Sequence, residues 1–274
     1  MKSLRLRFEV SEYIMSQSKR PFECLLAWKT VSHYRQTRLW IGSITSLGMV
    51  VVYSVASSIW VGCLFETRAE PQTLIFMGNS ITQSDTNTLI GWNHTLGMAA
   101  SKVENDYVHQ TLQILKGRGR EMIGILGDRD CDTTVCDGPI EEHLYNISQV
   151  YDVNPKYVVV QLGENSTEVE AVNGKLRIQY RKLLEALAKV GVRRIFCITP
   201  WGDTSSSAPR TKAVRLAMQG ISGAELVDIT HLSVDPANSG DPALFRNPDV
   251  LWHPGDAGMH GIANALVNVI MKGD

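Results

Sequence analysis

Apolar and polar positions alternate in two different rhythms over the C-terminal three quarters of the chain, with no internal repeat or low-complexity segment. Short apolar runs are typical of buried strands, and apolar residues spaced three or four apart are typical of amphipathic helices. The predicted strands cover residues 73–77, 122–126, 156–162, 194–199 and 225–229, and the predicted helices cover 107–115, 176–190 and 258–271.

The clearest strand is 156–162 (KYVVVQL), which is apolar on both faces, as a parallel sheet covered by helices requires. In the helix that follows, Leu176, Tyr180, Leu183, Leu184 and Leu187 recur at helical spacing. Strands and helices that alternate in this way predict an α/β domain over 67–274. We expect a doubly wound, three-layer α/β/α architecture with a parallel, flavodoxin-like sheet.

Residues 39–65 form an uncharged run, LWIGSITSLGMVVVYSVASSIWVGCLF. A helix needs about 20 apolar residues to cross a bilayer, so we interpret this run as one transmembrane helix that serves as a signal anchor. A buried helix of a globular core is the alternative, but such helices are seldom this long without a polar face.

The charge on either side of this run predicts an orientation. Residues 1–38 carry eight basic and three acidic side chains, a net charge of +5, whereas 66–274 carry 19 basic and 25 acidic side chains, a net charge of −6. The positive-inside rule places 1–38 in the cytoplasm and the domain outside it, in the periplasm or the extracellular space. A cleaved signal peptide is the alternative, although its charged and apolar parts are normally shorter.

The cysteines and the overall charge indicate which metals, cofactors and macromolecular partners to expect. Cys131 and Cys136 bracket a short acidic loop and could form a local disulfide in an oxidising compartment. The acidic residues of 128–137 lack the spacing of a calcium loop, and no second cysteine or histidine pair completes a zinc site. We therefore expect neither a metal nor another cofactor. The near-neutral charge without a basic stripe argues against nucleic acid as a partner.

Polar residues follow two of the predicted strands and precede the closing helix, at places where parallel α/β folds carry their reacting groups. Gly78-Asn79-Ser80-Ile81-Thr82 follows the first strand, Gly163-Glu164-Asn165 follows the third, and His253-Pro254 precedes the closing helix. In such folds the carboxyl ends of the strands meet at one edge of the sheet. Taken singly, each group has an ordinary explanation, as a turn whose serine caps a helix, as a turn residue, or as the start of a helix.

Together these three groups resemble the sequence blocks of the SGNH, or GDSL-like, hydrolases over roughly residues 72–272. The first block of that family is G-D/N-S-x-T, the third is G-x-N-D or a variant, and the last places His-Pro before the final helix. The stretch 91–109 is similar to a bacterial subgroup with a W-G-M-A-A-S segment, in which Leu96 replaces the usual Trp and Gly97 matches the oxyanion glycine.

The resemblance implies a serine esterase. Ser80 would be the nucleophile and His253 the base that removes its proton. The N–H groups of Ser80 and Gly97 and the side-chain amide of Asn165 would stabilise the oxyanion.

One position departs from the family pattern. The family usually has Asp three residues before the histidine, and here that residue is Val250. Either Asp249 takes over as the third catalytic residue, or a backbone carbonyl holds the imidazole in a dyad.

Three functions fit these expectations. The first is an esterase that removes acetyl or other short acyl groups from a small molecule or from an envelope or extracellular carbohydrate. The second is an O-acyltransferase with the same residues and a sugar hydroxyl as acceptor. The third is a catalytically silent glycan-binding or scaffold domain. The acyl group, the alcohol and the oligomeric state do not follow from the sequence.

Overall fold

The structure, a computed structural model, describes residues 72–127, 155–202 and 204–273. The predicted cytoplasmic segment 1–38, the predicted transmembrane helix 39–65 and the loop with Cys131 and Cys136 lie outside these ranges, so they stay predictions. Among the helices of the described residues, none combines the length and apolar character needed to cross a bilayer.

Five parallel strands form one sheet in the order β2-β1-β3-β4-β5. The strands are β1 (Gln72–Gly78), β2 (Met122–Leu126), β3 (Tyr157–Gln161), β4 (Arg194–Ile198) and β5 (Ala224–Val227). This is the flavodoxin-like strand order, and it confirms the predicted doubly wound sheet.

Helices cover both faces of the sheet. They are α1 (Tyr107–Gly117), α2 (Glu168–Val172), α3 (Lys175–Lys189), α4 (Thr204–Met218), α5 (Pro248–Leu251) and α6 (Asp256–Met271). Helices α1 and α6 pack against each other on one face, and α3 packs against α4 on the other. The molecule therefore has the three-layer arrangement that the sequence predicts.

The core follows from the apolar pattern. Every residue of β3 is buried, with Val159 in the apolar cluster under α1 and α6, and with Val158 and Val160 in the cluster under α3 and α4. Helix α3 buries the five residues that its periodicity selects. Cys197 of β4 is a buried free thiol whose pKa is raised to about 12 by its burial.

Helix α4 was not predicted from the sequence. Its first half reads TSSSAPRTK, with Pro209 inside the helix, and this polar start hides the helical period. The face that packs on the sheet consists of Ala213, Val214 and Ala217, which are small and so leave a weak apolar signal. Tertiary packing, rather than intrinsic preference, therefore accounts for this helix.

The strand order determines where a site can form. From β1 the chain moves outward to β2, and from β3 it moves to the other side, to β4 and β5. The carboxyl ends of β1 and β3 therefore flank the point at which the order reverses, where folds of this kind bind ligands. The register pairs Gly78 with Gln161, so the segments after the two strands leave the sheet side by side.

The close approach at Gly78 yields a first prediction. A Cβ atom there would collide with Oγ1 of Thr82 and lie 2.8 Å from the carbonyl oxygen of Gln161. Gly78→Ala should therefore lower the free energy of unfolding by about 1–3 kcal/mol, measured by urea denaturation. Gly117→Ala is the matched control, because a Cβ atom at that exposed helix end meets no atom within 4 Å. Equal midpoints for the two variants would contradict the prediction.

Candidate active site

A tight turn directly after β1 presents Ser80. The carbonyl oxygen of Asn79 accepts hydrogen bonds from the N–H groups of Thr82 and Gln83, each at 2.8 Å. The hydroxyl of Thr82 bonds to the buried hydroxyl of Tyr107 in α1, also at 2.8 Å. These bonds anchor the turn on both sides, and Ser80 is left half-buried at the rim of the sheet.

A second rigid segment carries His253. Helix α5 begins after Asn247, whose side chain caps the N–H of Asp249 at 2.8 Å. Beyond the helix, the N–H of His253 donates to the carbonyl of Val250 at 3.1 Å. The indole N–H of Trp201, at the end of β4, donates to the carbonyl oxygen of Trp252 at 2.8 Å. The histidine loop is thereby tied to the sheet.

The two segments meet at their polar side chains. Oγ of Ser80 lies 2.8 Å from Nε2 of His253, although 173 residues separate them in the chain. Nδ1 of the same ring lies 2.6 Å from the main-chain carbonyl oxygen of Asp249. Because a carbonyl can only accept, Nδ1 carries the proton and Nε2 presents its lone pair to the serine hydroxyl.

The imidazole of His253 is neutral at physiological pH. Burial lowers its pKa to about 4, and the Asp249 carbonyl and the nearby Asp249 charge only partly oppose this. A neutral imidazole with a free lone pair at hydrogen-bond distance from a hydroxyl can remove the proton of that hydroxyl.

The group that orients His253 differs from the carboxylate of a catalytic triad. The N–H at Nδ1 of His253 donates to the main-chain oxygen of Asp249 and not to its carboxylate, which is the dyad arrangement. Val250, at the position where the SGNH family usually has Asp, is buried in the apolar cluster under α6. The backbone of α5 therefore orients the ring, and the Val250 side chain belongs to the core.

Gly97 lies beside the serine turn. The N–H of Met98 donates to the carbonyl oxygen of Ser80 at 2.8 Å, and a Cβ atom on Gly97 would stand 2.5 Å from the carbonyl oxygen of Ile81. Only glycine allows the two backbones to approach this closely. Within the described ranges, no protein oxygen accepts a hydrogen bond from the N–H of Ser80 or of Gly97. Both N–H groups are therefore unpaired within those ranges, with Gly97 buried and Ser80 half-buried.

Asn165 lies at the neighbouring strand end, where it is exposed in the loop after β3. The structure thus brings Ser80 and His253 into contact, places Gly97 against the serine turn, and puts Asn165 at the same edge of the sheet.

Sequence reasoning missed three residues at this edge. Trp201 holds the histidine loop, and Trp252 is 39% exposed with its ring perpendicular to that of His253 at a centroid distance of 5.1 Å. Glu164 is buried, and burial raises the pKa of its carboxyl to about 7. The only available signal for Glu164 was an acidic residue three positions after the strand Tyr157–Gln161.

No group of three or more His, Cys, Asp or Glu side chains that could hold a metal ion occurs among the residues described here. The acidic loop 128–137 lies outside those residues.

Comparison with known proteins gives structural matches only. No protein-family model matches the chain, and no curated protein matches it in sequence. A family 3 carbohydrate esterase from Clostridium thermocellum superposes with a TM-score of 0.51 and 14% identity, covering 74% of this chain and 96% of that chain. The psychrotrophic esterase EstA from Pseudoalteromonas sp. gives a TM-score of 0.48 and 14% identity, covering 73% and 97%. The carbohydrate esterase from Clostridium thermocellum therefore shares the fold of this chain.

The ionisation of His253 can be measured directly. Its ring nitrogens should titrate in NMR spectra with a midpoint near pH 4, because burial disfavours the imidazolium. His109 provides an internal contrast, since its hydrogen bond to Asp106 raises its pKa above the usual value. A midpoint for His253 at the ordinary histidine value of about 6.5 would show that the ring is not desolvated.

Proposed function

We propose that this protein is a serine esterase of the SGNH type, which hydrolyses acyl esters through a covalent intermediate on Ser80. The observation that carries the proposal is the 2.8 Å contact between Oγ of Ser80 and Nε2 of a neutral, main-chain-oriented His253. A silent binding domain has no need of this contact.

In the first step, Oγ of Ser80 attacks the ester carbonyl while Nε2 of His253 takes the hydroxyl proton. Negative charge develops on the carbonyl oxygen. The N–H groups of Ser80 and Gly97 are positioned to receive it, and the side-chain amide of Asn165 is the proposed third donor. Each donor of this kind typically contributes about 10² to 10³ in rate.

In the second step, the imidazolium returns its proton to the leaving alcohol, and the acyl group stays on Ser80. Water then attacks the acyl-enzyme by the reverse proton route and releases the acid. The imidazolium is stabilised by the carbonyl dipole of Asp249, which bears only a partial negative charge. We therefore expect a slower enzyme than one whose histidine contacts a carboxylate.

The proposed substrate is a short acyl ester, most simply an acetyl ester, on a carbohydrate. Trp252 supports this because its half-exposed indole lies beside His253 and offers a flat apolar surface to the C–H face of a sugar ring. The solved carbohydrate esterase from Clostridium thermocellum is similar to this chain in fold.

We also propose that the enzyme is a single-pass membrane protein, held by residues 39–65 with its active site outside the cytoplasm. The uncharged run and the charge asymmetry around it support this proposal.

The catalytic proposal is tested with p-nitrophenyl acetate and the full-length chain. Ser80→Ala and His253→Ala should each lower kcat/KM by at least about 10³, because each removes one member of the reacting pair. Asp249→Asn is the matched control. It keeps the main-chain carbonyl that orients His253, so its loss should stay below about tenfold, whereas replacing a carboxylate that contacts the imidazole costs about 10⁴.

Equal rates in the native protein and Ser80→Ala would contradict the proposal. A large loss of kcat/KM in Asp249→Asn would contradict the dyad and make the Asp249 carboxylate the third member of a catalytic triad. Product analysis with a sugar acceptor present separates hydrolysis from transfer, because a transferase would place the acetyl group on the acceptor rather than release acetate.

The carbohydrate proposal is tested through Trp252. Trp252→Ala should raise KM for an acetylated oligosaccharide roughly three- to tenfold, the loss expected from one aromatic contact, with little change for p-nitrophenyl acetate. Ile178→Ala is the control, since it truncates an exposed apolar side chain on α3. The same rise for both substrates would show that Trp252 supports His253 rather than a sugar.

A further inference from the structure

Three buried polar side chains gather beneath the turn that carries Ser80. Asn79 at the end of β1 is 6% exposed, Gln161 at the end of β3 is 0% exposed, and Glu164 in the following loop is 4% exposed. Nε2 of Gln161 donates to Oε2 of Glu164 at 3.0 Å, and the side-chain amide of Asn79 also interacts with this carboxyl. The cluster joins the serine turn to the loop that carries Asn165.

This cluster has too few donors. Within the part of the chain that the structure describes, Oδ1 of Asn79, Oε1 of Gln161 and Oε1 of Glu164 are all buried without a hydrogen-bond partner. Buried oxygens are almost always paired, because water no longer solvates them. Three unpaired acceptors in one buried cluster indicate that the cluster lacks a donor, which the proton of a neutral Glu164 carboxyl group would supply.

Burial of the Glu164 carboxyl outweighs the interactions that favour its charge, which are hydrogen bonds from its own main-chain N–H and from the Gln161 and Asn79 side chains. From α4, Arg210 attracts the carboxylate, but its Nε donates to the main-chain oxygen of Ser166 at 2.6 Å. Tyr107 of α1 and Tyr180 of α3 face the cluster as neutral phenols whose pKa values are raised, chiefly by burial and in part by Glu164. Burial likewise raises the pKa of Glu164 to about 7.

We propose that the carboxyl group of Glu164 is protonated in the active enzyme and donates a hydrogen bond to Oδ1 of Asn79, which makes Glu164 a positioning residue for the serine turn. A half-turn of the Asn79 amide brings Oδ1 to face the carboxyl, since the two ends of an amide have nearly the same shape. This bond gives the orphaned Oδ1 of Asn79 a donor. When Glu164 ionises, its proton passes to solvent and the bond is lost.

The protonation state of Glu164 affects Ser80 through Asn79. The main chain of Asn79 accepts the two hydrogen bonds that close the turn, so the placement of Asn79 sets the distance from Oγ of Ser80 to His253. Activity should therefore fall as the pH rises through the ionisation of Glu164, by about tenfold per unit in the limit of one essential proton. This consequence depends on the proposed esterase function, whereas the protonation itself does not.

Protonation is tested first, without an assay of activity. In the full chain labelled with ¹³C at the glutamate carboxyls, the signal missing from Glu164→Gln should titrate with a midpoint near pH 7. Infrared spectra of the native protein should show the C=O stretch of a protonated carboxyl at pH 6 and lose it at pH 9. A carboxylate that stays ionised from pH 5 to 9 would overturn the proposal and assign the missing donors to a buried water.

The positioning role is tested by the pH profile of p-nitrophenyl acetate hydrolysis between pH 5 and 9. The native protein should lose activity above pH 7. Glu164→Gln should not show this fall, because its amide donates a hydrogen bond at every pH. Glu168→Gln, the same change at an exposed position, should still lose activity above pH 7. A fall shared by all three proteins would overturn the positioning role. A native protein with a titrating Glu164 and no hydrolysis would uphold the protonation and reject the esterase function.

Discussion

The hydrogen bond between Ser80 and His253 is the interaction on which the proposed chemistry depends. The two residues are far apart in the sequence, so the bond forms only while each segment is held in place against the sheet. The serine turn is held by the close packing at Gly78 and by the buried hydroxyl of Tyr107. The histidine loop is held by the capped helix α5 and by the indole N–H of Trp201. The sheet order brings the two together at its switch point.

The orientation of His253 by the main chain has both a structural and a chemical side. Val250 packs into the core at the position where the resemblance predicts a carboxylate, and the main-chain carbonyl of Asp249 accepts the hydrogen bond from Nδ1 of the ring instead. A carbonyl in place of a carboxylate avoids a buried charge, whose desolvation is costly. It also leaves an imidazole that burial keeps neutral. The same arrangement stabilises the imidazolium less well during the reaction. The site is thus suited to holding a ready base over a wide pH range rather than to the highest rate.

Much of the fold was predictable, because the buried strands and helix α3 have strong apolar periodicity. Helix α4 escaped because its packing face is small and its start is polar. The meeting of Ser80, Gly97 and His253 at one edge of the sheet was expected from the pattern and the family resemblance. The carbonyl contact of Asp249 and the burial of Glu164 did not. A main-chain oxygen has no signature in the sequence, and the burial of Glu164 arises from helices far away in the chain.

The central claim is that contact with His253 makes Ser80 a reactive nucleophile. The most direct measurement is mass spectrometry of the full-length protein after treatment with a fluorophosphonate. We expect one phosphonyl group, located on the peptide with Ser80 and absent when His253 is replaced by alanine. A folded protein that stays unlabelled, or that is labelled at another residue, would contradict the claim.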